Sequence, residues 1–309
     1  MPESNDVDSE ILKKVINDTR RRTKGLFGLN IMMAISDFND HLKVAIEEKV
    51  AIVFIGAGLP LRVPEIISVD RARSCFTNLV PKISSSRAAK AICKFWDSHY
   101  SITPDAIVLE GPMAGGHLGF AMENINNPDY CLEVLLPEVI NTVKPYEQKY
   151  GRAIPVIAAG GIFSGGDISK FLEMGAKGVK MGTRFVATKE CDVDSDFKQV
   201  FLNCRKEDLV LINSPVGLPG RAINSKFLTD LAKGIRKPLN CLWKCLKTCD
   251  LKNASYCIAE ALSNARMGDL DNGFAFAGAN AFRIKEIVSV KELMAVLVDE
   301  FNSARGFTV

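Results

Sequence analysis

Apolar residues fall along this chain in two alternating rhythms. Over 10–20 they sit at 11, 12, 15 and 16, the spacing of one helical face. Strand-like segments recur at 25–33, 51–56, 76–83, 106–110, 154–159 and 178–181, and the run 155–159 is short and lacks polar alternation. Strands covered on both faces of a parallel sheet read in this way. Helical spacing returns at 37–48, 86–96, 131–150 and 168–174. Six βα units of this kind predict a parallel α/β architecture with its chemistry at the carboxyl ends of the strands. A closed (β/α)₈ barrel needs two more strands, and nothing before Glu10 or after Val186 supplies them.

Two of the strand exits carry glycine. The run Pro155 to Ala159 meets Gly160-Gly161, then Ser164-Gly165-Gly166-Asp167 leads into a helix with serine or aspartate as its cap. One βα unit later the strand Val179 to Met181 ends at Gly182-Thr183. Glycine lets the backbone turn sharply and approach a ligand without a Cβ in the way. Two neighbouring exits of this kind offer backbone N–H groups and one hydroxyl to a phosphate-sized anion. Tight turns alone would also use these glycines.

Past Thr188 the rhythm gives way to a mixed region that ends in helical spacing at 290–301. The expected division is a barrel over 1–188, a helical cap over 189–285 and a returning helix over 286–309. The 309 residues are 47% hydrophobic, enough for a large core, and the net charge of +3 is too small to argue for nucleic acid. No apolar run is long enough to span a bilayer, and the polar, acidic start is unlike a signal peptide, so the expected location is cytoplasmic. In that compartment nine cysteines read as thiols. Cys241, Cys245, Cys249 and Cys257 form an array whose first three members would line one helical face, either as a metal set or as small apolar packing. Lys233, Arg236, Lys237, Lys244, Lys247 and Lys252 surround it, as an acidic partner's dock or as a solvated helix face.

His117 is the candidate for chemistry. It follows the strand at 106–110 inside Gly115-Gly116-His117-Leu118-Gly119, and it is one of only three histidines. Its glycine neighbours leave it little packing to do, and an imidazole can take a proton from a carbon acid or donate a hydrogen bond to a carbonyl. His41 and His99 lie in polar helical stretches and read as surface residues. Lys82, inside the apolar Leu79-Val-Pro-Lys-Ile-Ser, is costly unless it meets an anion or an electron-rich ring.

With these residues in view the chain resembles the nitronate monooxygenase (2-nitropropane dioxygenase) family, which includes the flavin-type enoyl-acyl-carrier-protein reductases. The matching motifs are Phe27-Gly-Leu-Asn-Ile, Val53-Phe-Ile-Gly-Ala-Gly, Glu110-Gly-Pro-Met-Ala-Gly-Gly-His-Leu-Gly, Ala158-Ala-Gly-Gly-Ile, Met181-Gly-Thr-Arg-Phe and Ser214-Pro-Val-Gly-Leu-Pro-Gly-Arg-Ala. The resemblance implies an FMN-binding TIM barrel in which Gly160, Gly161, Gly182 and Thr183, with Met181 beside them, hold the phosphate. It places Asn30 and Lys82 against the flavin and its ribityl chain. It implies oxidation of a nitronate or nitroalkane by dioxygen through FMN, with His117 deprotonating or orienting the substrate. The second activity it implies is reduction of an enoyl thioester, with NADH or NADPH as reductant and an acyl carrier protein as partner. A homodimer is the candidate assembly. Family members open with a Gln-Gly-Gly-Met-type strand turn, a helix and a second strand, and this sequence has no counterpart to these first two βα units. A catalytically impaired, shortened member that binds FMN poorly is therefore the third expectation.

Overall fold

A computed structural model describes residues 4–68, 76–237, 241, 244–247, 249–250 and 252–306. The chain divides into two compact units, one made of residues 1–109, 138–156 and 245–247, the other of residues 110–137, 157–244 and 248–309.

The first unit opens with α1 (Ser4–Arg22), β1 (Gly28–Met32), α2 (Phe38–Glu47), β2 (Ile52–Gly56) and the single turn α3 (Val63–Ile66). It continues with β3 (Asn78–Ile83), α4 (Ser86–Tyr100) and β4 (Ile107–Glu110). The strands pair in parallel, Leu29 with Val53, Val53 with Leu79 and Lys82 with Val108. Burial on both faces of the sheet accounts for the apolar runs of β3 and β4, where the consecutive residues Leu79, Val80 and Ile107, Val108, Leu109 are all buried. Ser85 caps α4 by accepting from Ala88 N at 3.2 Å, and the helix buries Ile92, Cys93 and Trp96. Trp96 donates from Nε1 to Pro60 O at 3.0 Å, which satisfies the one polar atom of a fully buried ring.

Helix α5 (Leu132–Tyr150) runs through both units, as do β4 and β6 (Val156–Ala159). The second unit holds the short strand β5 (Gly116–His117), α6 (Gly165–Glu173), β7 (Gly178–Lys180), the single turn α7 (Thr183–Val186) and α8 (Ser195–Asn203). Its remaining elements are β8 (Leu209–Asn213), β9 (Pro219–Ile223), α9 (Lys226–Ala232), α10 (Ile258–Arg266) and α11 (Val290–Ala304). Six parallel strands hydrogen-bond in the order β1-β2-β3-β4-β6-β7, and a separate antiparallel sheet has the order β5-β9-β8. The six parallel strands are those that the apolar runs predict.

Helix α6 shows how firmly the sequence fixes one turn. Ser164 Oγ accepts from Asp167 N at 3.1 Å, while the Asp167 carboxylate accepts from Ser164 N at 2.9 Å and Phe163 N at 3.0 Å. Ser164 is thus the cap, one of the two residues expected there, and Asp167 answers it in a capping box. Glu300, from α11, adds an acceptor for Gly165 N at 2.7 Å. The array 241–249 departs from expectation. Cys241, Cys245 and Cys249 lie in irregular backbone rather than on one helical face, and Lys244 has φ +43. Among the described residues no cluster of three His, Cys, Asp or Glu side chains is placed to hold a metal ion.

Candidate functional site

The carboxyl ends of β4, β6 and β7 open on a cavity of about 330 Å³ that lies wholly within the second unit. Its walls are Glu110, Met113 to Gly116, Ala159 to Phe163, Lys180 to Thr183, Val186, Phe276, Gly278 and Asn280. A volume in this range suits a small ligand or the polar end of a larger one. Gly160, Gly161, Met181, Gly182 and Thr183 therefore come together as the glycine pattern predicts.

The glycines differ in what demands them. Gly160 and Gly161 have φ +90 and +85. A Cβ on Gly160 would lie 2.7 Å from the Gly111 carbonyl oxygen, and one on Gly161 would lie 2.8 Å from Met113 Cβ. Turn geometry and packing alone account for this pair. Gly182 has φ −130, and a Cβ there would meet nothing within 4 Å. Neither backbone conformation nor protein packing asks for glycine at 182, so its bare backbone faces space that a ligand can fill.

Thr183 Oγ1 accepts from Gly278 N at 2.9 Å, which fixes the hydroxyl oxygen at the cavity wall and leaves its hydrogen to donate. Asn280 Nδ2 donates to Gly161 O at 2.6 Å, and Ala279 N donates to Met113 O at 3.0 Å, so the 278–280 segment stitches the glycine turns together. The two ionisable side chains on the wall are Glu110 and Lys180. Lys180 pairs in register with Ala159, and Gly111 N bonds Ala159 O at 2.8 Å, so Glu110 and Lys180 end the strands on either side of a small alanine. At the start of α6 the Phe163 and Ser164 amides donate to Asp167, the Gly165 amide to Glu300 and the Asp167 amide to Ser164.

His117 is not in a loop. It forms β5, antiparallel to β9, with Gly116 opposite Arg221 and His117 opposite Gly220. The Gly-Gly-His and Pro-Gly-Arg motifs, far apart in sequence, are thus one piece of sheet. His117 also packs more than its glycine neighbours suggest, edge-on to Phe276 at 4.9 Å between ring centroids. Its Nε2 lies 2.7 Å from Ser214 Oγ. Arg221 is buried, and its Nη1 donates to Pro112 O at 2.5 Å and Ala114 O at 2.9 Å. Burial pulls its guanidinium below the ordinary arginine value. The side chain ties down the 112–114 loop that both lines the cavity and leads to His117. Ser214, Arg221, Lys180 and Asn280 are site residues that local sequence signals miss, because their partners lie up to 119 residues away.

Asn30 and Lys82 lie on β1 and β3 of the first unit. Lys82 runs across Gly56 of β2, where a Cβ would come within 2.9 Å of Lys82 Cε. His99 is exposed and stacks on Phe95 at 3.9 Å, whereas His41 is half-buried rather than a surface residue.

The family model described as nitronate monooxygenase matches residues 4–300. A probable nitronate monooxygenase of Staphylococcus aureus (strain JH9) is 26% identical over 251 residues, covering 73% of this chain and 68% of that protein. A (3aS,4S,5R,7aS)-5-hydroxy-7a-methyl-1-oxo-octahydro-1H-indene-4-carboxyl-CoA dehydrogenase of Rhodococcus jostii (strain RHA1) is 27% identical over 220 residues, covering 71% of this chain. That alignment takes in 54% of the dehydrogenase, so the chain spans about half the length of this curated relative. Among solved structures, FabK from Thermotoga maritima superposes with a TM-score of 0.75 at 28% identity, covering 97% of this chain and 85% of FabK. The nitroalkane oxidase of Streptomyces ansochromogenes superposes with a TM-score of 0.74 at 22% identity, covering 96% and 86%, a likeness of fold.

Proposed function

The chain belongs to the nitronate monooxygenase family, and from that premise we propose that it is an FMN-dependent oxidoreductase that oxidises nitronates or nitroalkanes with dioxygen. The observation that carries the cofactor assignment is Gly182, a glycine with no conformational or packing need, set over open cavity beside Thr183. Gly160, Gly161, Met181, Gly182 and Thr183 would hold the phosphate. Backbone amides and one hydroxyl suit a phosphate ester, and the absent Cβ lets it come close. Asn30 and Lys82 are assigned to the flavin and ribityl chain, and residues 189–285 to a cap over a (β/α)₈-type barrel of which the six parallel strands are part. The bound flavin would supply the redox centre between substrate and dioxygen. His117 would orient the nitronate or take the proton of a neutral nitroalkane, and Arg221 would keep the loop before it in place.

A second reading is reduction of an enoyl thioester with NADH or NADPH, favoured by the 28% identity to FabK along nearly the whole chain. In that reading a His117 N–H would polarise the thioester carbonyl, and the basic segment around Lys244 would receive an acyl carrier protein. Oxygen uptake with propionate nitronate, set against NADH and NADPH oxidation with crotonyl thioesters, separates the two. We expect nitronate-dependent oxygen uptake. Protein that takes up no FMN from a saturating solution would support the catalytically impaired reading instead.

A further inference from the structure

Arg221 of β9 is a buried cation without a counter-ion. It is 7% exposed, and among the described residues its side chain donates through Nη1 alone, to the Pro112 and Ala114 carbonyls at 2.5 and 2.9 Å. No carboxylate of the described residues pairs with it, and burial alone pulls its guanidinium below the ordinary value. A buried charge is costly unless something of opposite sign meets it. The cavity wall supplies no net negative charge, since its two ionisable side chains are one acid, Glu110, and one base, Lys180.

The two carbonyls show where the charge of Arg221 is felt. A trans peptide sets its N–H opposite its C=O, and both peptides are trans. With Pro112 O and Ala114 O drawn toward Arg221, the N–H groups of Met113 and Gly115, which share those peptides, face away from it. Met113 and Gly115 both line the glycine cavity, whereas Arg221 does not. Among the described residues neither N–H has an acceptor, while Ala114 N, between them, donates to Gly111 O at 3.2 Å. Backbone donors are seldom left unpaired, and two of them on one cavity wall mark a place for acceptor oxygens. Gly115 N is also a neighbour of the Thr183 hydroxyl. A Cβ on Gly278 would stand 3.0 Å from Thr183 Oγ1 and 3.6 Å from Gly115 N.

A cation bonded to a carbonyl polarises the whole peptide and makes its N–H a stronger donor. Arg221 thus sets positive charge behind two amides without itself lining the cavity. We propose that the Met113 and Gly115 N–H groups form a site for an anionic oxygen, and that Arg221 is the positioning residue that aims and polarises them. The inference rests on the proposed reading for the source of that oxygen, the flavin phosphate or the nitronate. Both present the same chemistry to a pair of N–H donors.

The test follows the amide signals of the full chain, freed of flavin and labelled with nitrogen-15 methionine, with Met113→Leu used to assign Met113. Inorganic phosphate and propionate nitronate are added separately at matched ionic strength. At least one is expected to move the Met113 amide proton downfield, and the anion that does so names the source of the oxygen. Arg221→Gln keeps donors for the two carbonyls but removes the charge. It is expected to weaken that binding by at least about tenfold, the effect of losing a unit charge at the effective dielectric of a protein. Arg221→Lys, which keeps the charge, is expected to restore it, whereas a residue that only tethered the loop would tolerate Gln. A Met113 signal unmoved by both anions overturns the proposal, as does an Arg221→Gln protein that binds like wild type or an Arg221→Lys protein as weak as Arg221→Gln. If neither variant folds, the wild-type titration decides alone. A moved signal in a protein that oxidises no nitronate would sink the functional reading and leave this inference standing.

Discussion

Single residues separate a turn that merely needs glycine from one that faces open cavity. Gly160→Ala forces a left-handed alanine against the Gly111 carbonyl, so it is expected to lower stability by at least about 1–2 kcal/mol. Gly182→Ala meets no atom, so its free energy of unfolding in urea should stay within about 0.5 kcal/mol of wild type while FMN affinity falls. Equal destabilisation by both, with unchanged affinity, would return all these glycines to turn-making. Lys180 gives a second contrast on the same wall. Lys180→Gln should weaken FMN binding by at least about tenfold, since a hydrogen bond to a charged group is worth about 1.5–3 kcal/mol. Riboflavin, which has no phosphate, should bind both proteins alike. His117 was legible because an imidazole among glycines stands out locally. The contacts of Ser214 and Phe276 with His117 were not, since each becomes its neighbour only through long-range folding.

At the scale of elements, legibility follows how local the determinants are. The α6 capping box could be read from Ser164 and Asp167 because both partners lie in one turn. The β5–β9 pairing could not, because a strand of two residues has no periodicity to detect. A helix over 241–249 was expected from cysteine spacing alone, and the chain there instead lays Leu246 beside Ile35 in an isolated bridge. The capping box also carries a pH dependence. Burial pushes the Asp167 carboxyl up, but the Ser164 and Phe163 amides, the Ser164 hydroxyl and Arg283 outweigh it, and the net direction is down. A depressed carboxylate stabilises the fold above its unfolded value of about 4 and loses that contribution as pH falls through the folded value. Asp167→Asn should therefore be less stable than wild type at pH 7, and the gap in urea midpoint should close on acidification below about pH 4. A gap that persists in acid would show that the loss is not electrostatic.

At the scale of the whole molecule, the six parallel strands were legible because short apolar runs alternate along the chain with segments of helical spacing. The division into two units was not, since its boundary runs through β4, α5 and β6 rather than through any linker that composition could mark. The glycine-lined cavity, His117, Ser214 and Arg221 all belong to the second unit, whereas Asn30 and Lys82 belong to the first. Ligands of graded size can therefore divide the flavin assignment into its parts. A ligand at one hundred times its Kd stabilises the fold that binds it by about 2.7 kcal/mol, a shift in melting temperature of about 4 °C for a chain of 309 residues. FMN should raise the melting temperature by that amount and slow amide exchange both at 157–183 and along β1 and β3. Inorganic phosphate should give a smaller rise, with slowed exchange confined to 157–183. If FMN protects only the segment that phosphate protects, Asn30 and Lys82 do not touch the flavin, and the chain grips the cofactor by its phosphate alone.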